Sequence, residues 1–319
     1  MATIHPYLSP IFSQPGHADD PACSARFQPS GGLSSLKPLR TDSPNTILMY
    51  YGSFNPPHIG HLHLLETVLA YTTDLHVVGT IVWPVPDHRL RNKHPEERGS
   101  SQDGPWFSQS QRAQLWRGDP RLPPGVYVVE SDMLDDCARS DPGVVFDWIV
   151  EAAGYDGYAV QWVDVMGVDR YDDRGSGKDV FKSTGRSFIV SDTRGTKHRD
   201  FAQARTLQPA VGCTPWQQIQ LPSSEGKIGR EDSQTLEGPA LQDGQTTPIA
   251  TVWQCQLMAR PTCQARFIAM EGQIRPGTSS TEIRRMLREG PLPQVSDTSS
   301  PRLLKDLVLS PDLLLEKMV

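Results

Sequence analysis

The chain has 319 residues, 37% of them hydrophobic, a formal net charge of -6 and a sequence pI near 5.8. That length exceeds a usual single domain, so one domain with insertions and two small domains are both allowed, while the acidic balance argues against a general nucleic-acid surface. Five cysteines (Cys23, Cys137, Cys213, Cys255, Cys263) with no CxxC pair point to neither a disulfide framework nor a zinc site. No apolar run approaches the roughly 20 residues of a membrane span, and the N-terminus lacks a signal-peptide core, so a cytoplasmic or nuclear setting is expected.

Residues 1–44 are rich in Pro, Ser and Gly with little periodicity and read as a mostly disordered leader. The catalytic unit is expected over 45–319. A β-branched and aromatic run at 46–51 predicts a buried strand that Gly52 ends. Pro56 and Pro57 suit a tight exit into a helix over 58–71, with Leu62, Leu65 and Leu69 in its buried stripe. Then follow a strand at 75–83, a basic loop at 84–93, a helix at 108–117, a strand at 126–131, a helix at 144–153 and strands at 160–166 and 186–191. Residues 202–248 are polar, full of Gln, Gly, Ser and Pro, and read as an insertion loop with too few large apolar residues for a core. A strand at 265–270 leads into a helix at Ser279, and terminal helices follow around Leu307 and Leu313. This alternation is that of a doubly wound α/β fold with a parallel sheet, whose ligands bind at the C-terminal ends of the strands.

Two segments carry chemistry. In Gly52-Ser53-Phe54-Asn55-Pro56-Pro57-His58-Ile59-Gly60-His61, a strand, a glycine turn and a helix start point unpaired N–H groups and the positive end of the helix dipole at an anion. His58 and His61, three apart, share one helix face at that mouth, and Gly60 between them allows close approach. Taken alone, two histidines at this spacing equally suit a zinc pair or a polar surface. The second segment, Thr278 to Leu287, reads as a capping box with Ser279 as N-cap and Glu282 three residues on, opening an amphipathic helix. One turn in, Arg284 offers a planar positive fork for phosphate.

The first segment resembles the GSFNPxHxGH signature of the HxGH nucleotidyltransferases, and in its Asn55 version the nicotinamide or nicotinate mononucleotide adenylyltransferases. The second is similar to the SSTxIR motif that the same family carries near its C-terminus. The resemblance implies a Rossmann-like nucleotidyltransferase fold that joins the AMP of ATP to a mononucleotide, with Mg2+, small-molecule nucleotides as partners and neither nucleic acid nor membrane. It implies His58, His61, Lys93 and Arg284 as catalytic groups. Gly52, Ser53, Phe54, Gly60, Asp169, Arg194, Ser279, Ser280 and Thr281 become nucleotide-binding positions, and no residue is assigned to a metal. Lys93 comes from the basic loop, Asp169 from a GAD-like Met166 to Asp169, and Arg194 from an RxG-like turn in which Ser191-Asp192 departs from the pattern. The family's WE element is represented by Glu130 alone, which leaves the acceptor pocket open; Trp106 and Trp116 flank the helix around Arg112 as aromatic faces for a ring. Two other readings share part of the pattern: a cytidylyltransferase acting on a phosphorylated alcohol, disfavoured by Asn55 and Ser279-Ser280-Thr281, and a non-catalytic nucleotide-binding protein. Gly175 to Lys178 lacks P-loop spacing and reads as a flexible loop.

Overall fold

A computed structural model describes residues 1–12, 27–93, 105–130, 142–168, 186–192, 207, 212–221, 250–270, 279–289 and 306–318. The strands are β1 (Asn45–Gly52), β2 (Val77–Pro84), β3 (Val126–Val128), β4 (Val160–Gly167), β5 (Ser187–Ser191), β6 (Gln217–Ile219), β7 (Ala250–Leu257) and β8 (Arg260–Met270). The α-helices are α1 (His5–Phe12), α2 (Ile59–Ala70), α3 (Asp87–Lys93), α4 (Gln109–Arg117), α5 (Pro142–Tyr155), α6 (Ser280–Glu289) and α7 (Pro311–Glu316).

β1 shows why the sheet lies in the middle. Its side chains alternate between two cores, Ile47 and Met49 joining one and Leu48 and Tyr50 the other. A strand buried on both faces reads as a continuous apolar run, which is the pattern at 46–51. The sheet order is β3-β2-β1-β4-β5-β8-β7-β6. β1 runs parallel to β2 and β4, and parallel pairing continues through β3 on one side and through β5 and β8 on the other. β7 and β6 close the far edge in antiparallel pairing. One core takes Ile4, Leu8 of α1, and Val145, Phe146 and Ile149 of α5. The opposite core takes Leu62, Leu65 and Val68 of α2 and Ala113 and Trp116 of α4. The chain is thus an α/β protein with helices on both faces of a mostly parallel sheet. The order reverses between β1 and β4, and the parallel strands end on one edge, Gly52 opposite Pro84 and Gly167 opposite Ser191. At that edge, the crevice between β1 and β4 is the topological switch point.

Three expectations are corrected here. Residues 1–12 and 27–44 are not a disordered leader: α1 buries Leu8, Ile4 just before it is equally buried, and Phe27 stacks on Tyr127 with centroids 4.9 Å apart. Ile4 and Leu8, four apart, need only one helical turn to face the sheet together. Inside the expected 202–248 insertion, residues 217–219 form β6, and Cys213 and Trp216 pack near Cys255 of β7. β6 is held through its backbone, so its polar Gln217 and Gln218 gave no apolar signal. The basic loop at 84–93 is largely helical, as α3.

Because Leu8 is fully buried, Leu8→Ala is expected to lower stability by about 2–5 kcal/mol, read as a shift in the urea midpoint; an unchanged midpoint would mean that α1 is dispensable to the fold.

Candidate active site

The loop after β1 is shaped by one ring. A Cβ on Gly52 would lie 2.7 Å from two carbons of the Phe54 ring, so a glycine is needed where that ring folds back over the strand end. Phe54 has φ of 46°, a left-handed backbone that few non-glycine residues adopt. Its ring meets Tyr50, His61 and Trp116 edge-on, at 4.9, 4.9 and 5.3 Å between centroids. Phe54 is therefore an aromatic floor beneath the second histidine.

His58 is the N-cap of α2, in extended backbone. Its N–H donates to His61 Nδ1 at 3.1 Å. An Nδ1 that accepts carries no proton, so the neutral His61 ring holds its hydrogen on Nε2 and offers a donor there. The two imidazoles lie 3.7 Å apart between centroids. Gly60 is the second residue of α2 and half-buried.

The second segment returns to this loop after β8, with α6 packed against α4. Ser279 Oγ accepts the Glu282 N–H at 3.1 Å, which is the expected N-cap bond, and Arg285 pairs with Glu282 at 2.5 Å. Ile283 and Leu287, one turn apart, bury the inner face of α6. Arg284 is itself buried, and its Nη1 donates to the Asn55 carbonyl at 2.7 Å. Ser280 Oγ donates to the Pro56 carbonyl at 3.0 Å. Thr281 Oγ1 accepts from Arg284 Nη2 at 3.3 Å, and the guanidinium lies 5.3 Å from the centre of the Trp106 ring. The two motif segments are thus in direct contact, although more than two hundred residues separate them in the chain.

A residue not singled out as part of the site holds the loop from below. Arg112 of α4 is fully buried. Its Nε–H is shared between the carbonyls of Phe107 and Ser108, at 3.0 and 3.3 Å, and Nη1 donates to the Ser53 carbonyl at 2.6 Å. Nη2 donates to the Val85 carbonyl and to Asp87 Oδ1, each at 2.8 Å. Burial lowers its pKa, and the Asp87 carboxylate opposes that shift. A signal was present in the sequence: Gln109, Arg112, Ala113 and Trp116 form the buried stripe of α4, so a charge stood where an apolar residue belongs. Asn55 is a second addition. Its Oδ1 accepts the Phe107 N–H at 3.0 Å, which sets the amide's orientation, and its buried Nδ2 has no partner among the described residues.

Other expected positions are placed as follows. Ser53 meets Arg112 through its carbonyl, and Lys93 closes α3, its side chain lying outside the described residues. Asp169 and Arg194 also lie outside the described residues. Trp116 is core, packed on Tyr50 and Phe54, whereas Trp106 is 38% exposed beside Arg284. Glu130 is tied to Arg117 and to Ser110 Oγ. Asp192 ties the end of β5 to β8, its Oδ1 accepting the Met270 N–H at 2.8 Å. Burial raises its pKa, and that N–H partly opposes the shift. Among the described residues no three His, Cys, Asp or Glu gather to hold a metal ion, and no described helix is long and apolar enough to cross a membrane.

Comparison with known families matches residues 49–286 to the cytidylyltransferase-like family. The chain belongs to the cytidylyltransferase-like family. The match starts within β1 and ends within α6, so it takes in both motif segments and the switch point between them. Nucleotidyl transfer is the activity that membership in this family supports. No curated protein matches the chain.

Arg112→Ala would strip the donor from the Phe107, Ser53 and Val85 carbonyls, and is expected to cost about 3–5 kcal/mol, from several buried acceptors left unsatisfied at about 1–3 kcal/mol each. Chemical denaturation measures it; a loss under about 1 kcal/mol would put Arg112 in the class of surface pairs.

Proposed function

We propose that this nucleotidyltransferase is an adenylyltransferase that joins the AMP of ATP to nicotinamide or nicotinate mononucleotide, releasing pyrophosphate. The observation that carries the reading is the contact between the two motif segments. Arg284 and Ser280 bond to the carbonyls of Asn55 and Pro56, so a cation and a capped helix start stand at the mouth of α2. Such a mouth suits a triphosphate. The buried Nδ2 of Asn55, unpartnered among the described residues, is a further donor at the same loop, and a phosphate oxygen would satisfy it.

The chemistry asks for alignment and charge stabilisation, with no covalent enzyme intermediate. An acceptor phosphate oxygen attacks the α-phosphorus of ATP in line; the new P–O bond forms as the bond to the β-phosphate oxygen breaks, and pyrophosphate leaves with that electron pair. His61, with its donor on Nε2, and His58 would hydrogen-bond the phosphate oxygens where charge grows. Arg284 adds a fixed positive fork, and Lys93 is assigned the same task from the end of α3. Gly52, Ser53 and Gly60 would bring backbone close to the phosphates, and Ser279 and Thr281 would border them from α6. Asp169 and Arg194 are retained as nucleotide contacts of the strand ends. Magnesium would be held mainly by phosphate oxygens and neutralise the leaving pyrophosphate; such an ion requires no three-carboxylate cage. Trp106, exposed beside Arg284, is the aromatic face for the pyridine ring of the acceptor.

The test follows pyrophosphate release with ATP, magnesium and a panel of mononucleotides, alongside CTP with phosphorylated alcohols. Release with ATP and a pyridine mononucleotide is expected, and release only with CTP would transfer the chain to the cytidylyl branch. ATP binding without release from any pair would sink the enzyme reading. His61→Ala is expected to lower kcat by about 100-fold or more, the scale of losing a transition-state donor, with the melting temperature nearly unchanged. Full turnover in that variant would remove His61 from the mechanism.

A further inference from the structure

The motif loop is also held from a part of the chain that the family match does not reach. Val308 pairs with His58 as an isolated antiparallel bridge, and the Leu309 N–H donates to the Pro57 carbonyl at 3.3 Å. Both Val308 and Leu309 are fully buried, so these backbone contacts are shielded from competing water. A charged pair grips the same segment from its other side. The Ser310 N–H donates to Asp119 Oδ2 at 2.9 Å, and Arg121 Nη2 donates to the Val308 carbonyl at 3.2 Å. Arg121 also clasps Asp119 in two-point fashion, through Nε at 2.8 Å and Nη2 at 2.7 Å. Ser310 has φ of 47°, a backbone conformation that persists where surrounding bonds over-determine it.

We propose that Asp119 is a positioning residue for the histidine loop: with Arg121 it fixes residues 306–310 as a strap, and the strap fixes Pro57 and His58 at the mouth of α2. This rests on the role given to His58 above. Asp119 acts at one remove, through the strap's backbone. Its carboxylate accepts from four donors: the Ser310 N–H, the Arg121 N–H and two guanidinium N–H groups. An amide in its place has one acceptor oxygen and presents a donor to groups that are themselves donors, so at least one of these bonds is lost. A loosened strap would let His58 drift from a geometry needed only as charge develops, which lowers kcat more than it raises KM.

The experiment compares the full-length protein with Asp119→Asn and Asp119→Glu, both assayed well below their melting temperatures. Asp119→Asn is expected to lower kcat by about tenfold while KM for ATP moves by less than about twofold, with Asp119→Glu recovering part of the loss. A second readout is independent of turnover: diethyl pyrocarbonate modification mapped by peptide mass spectrometry. His58, buried in the parent protein, should react several-fold faster in Asp119→Asn, with His76, which hydrogen-bonds the Pro38 carbonyl away from this loop, as internal reference. If the parent protein turns over no substrate, the adenylyltransferase reading fails, yet the modification arm still decides the strap. Parent-like kcat and parent-like His58 reactivity in folded Asp119→Asn overturn the proposal. So does a loss of kcat that matches the loss of folded protein while His58 stays protected. Should Asp119→Asn not fold, Arg121→Lys keeps the charge but loses the two-point grip, and the same two readouts apply.

Discussion

A guanidinium buried beside the ends of β1 and β2 ties together three loops that the topology alone would leave independent. Arg112 holds the turn after β1 through the Ser53 carbonyl, the turn after β2 through the Val85 carbonyl and Asp87, and the entry to α4 through the Phe107 and Ser108 carbonyls. Burying such a group unpaired would cost several kcal/mol. Here its donors face backbone carbonyls and one carboxylate, so its desolvation is offset by bonds to it. The Asp87 side chain, 39% exposed, remains partly hydrated, which limits the cost of the pair to one deeply buried ion. An arginine suits the position better than a lysine because its planar fork reaches three segments in fixed directions.

On that frame the two halves of the site are joined by backbone carbonyls. The loop carbonyls of Asn55 and Pro56 accept from Arg284 and Ser280, so the same residues that would meet phosphate also set the shape of the loop they share. Parallel pairing of β8 with β5 places the chain end that leads to α6 on the ligand edge. A fourth apolar cluster then fixes α6 sideways, with Ile283 and Leu287 against Leu115 of α4, Val308 of the strap and Leu314 of α7. Packing sets where α6 stands, and two hydrogen bonds set how its first turn meets the histidine loop.

Much of this was legible in the sequence wherever one local rule and one tertiary demand agreed. The run at 46–51 has strand propensity and sits in a position buried on both faces, so β1 was plain; α2 and α6 carry both a helix-start pattern and an apolar stripe. Ser279 was expected as N-cap and makes that bond. Reading failed where tertiary contacts supply what local signals lack. Residues 217–219 are a strand because β7 offers them an edge, and α1 is ordered because Ile4 and Leu8 fill a hollow in one core. Strand β8 begins at Arg260, ahead of the expected 265, because its exposed first residues are paired through the backbone to β7. The link from Arg284 to Asn55 is a long-range contact that neither motif could specify by itself.

The segments outside the family match are placed asymmetrically, and the asymmetry bears on the site. α1 packs on the face that holds α5, against Trp83 and Tyr127, while the C-terminal strap and α7 pack on the opposite side with α4 and α6. Among the described residues, it is the second group that touches the histidine loop, through Pro57 and His58. Removing a helix from the first face would therefore act on stability, spread over the whole sheet, whereas disturbing the strap acts on one end of one helix. The His58–His61 pair depends on that local hold: the His58 N–H sets the His61 tautomer, so a shift of the His58 backbone would change both the position of one imidazole and the face on which the other presents its proton. The geometry of the mouth of α2 is consequently fixed from three directions, by Phe54 beneath, Arg284 across and the strap behind.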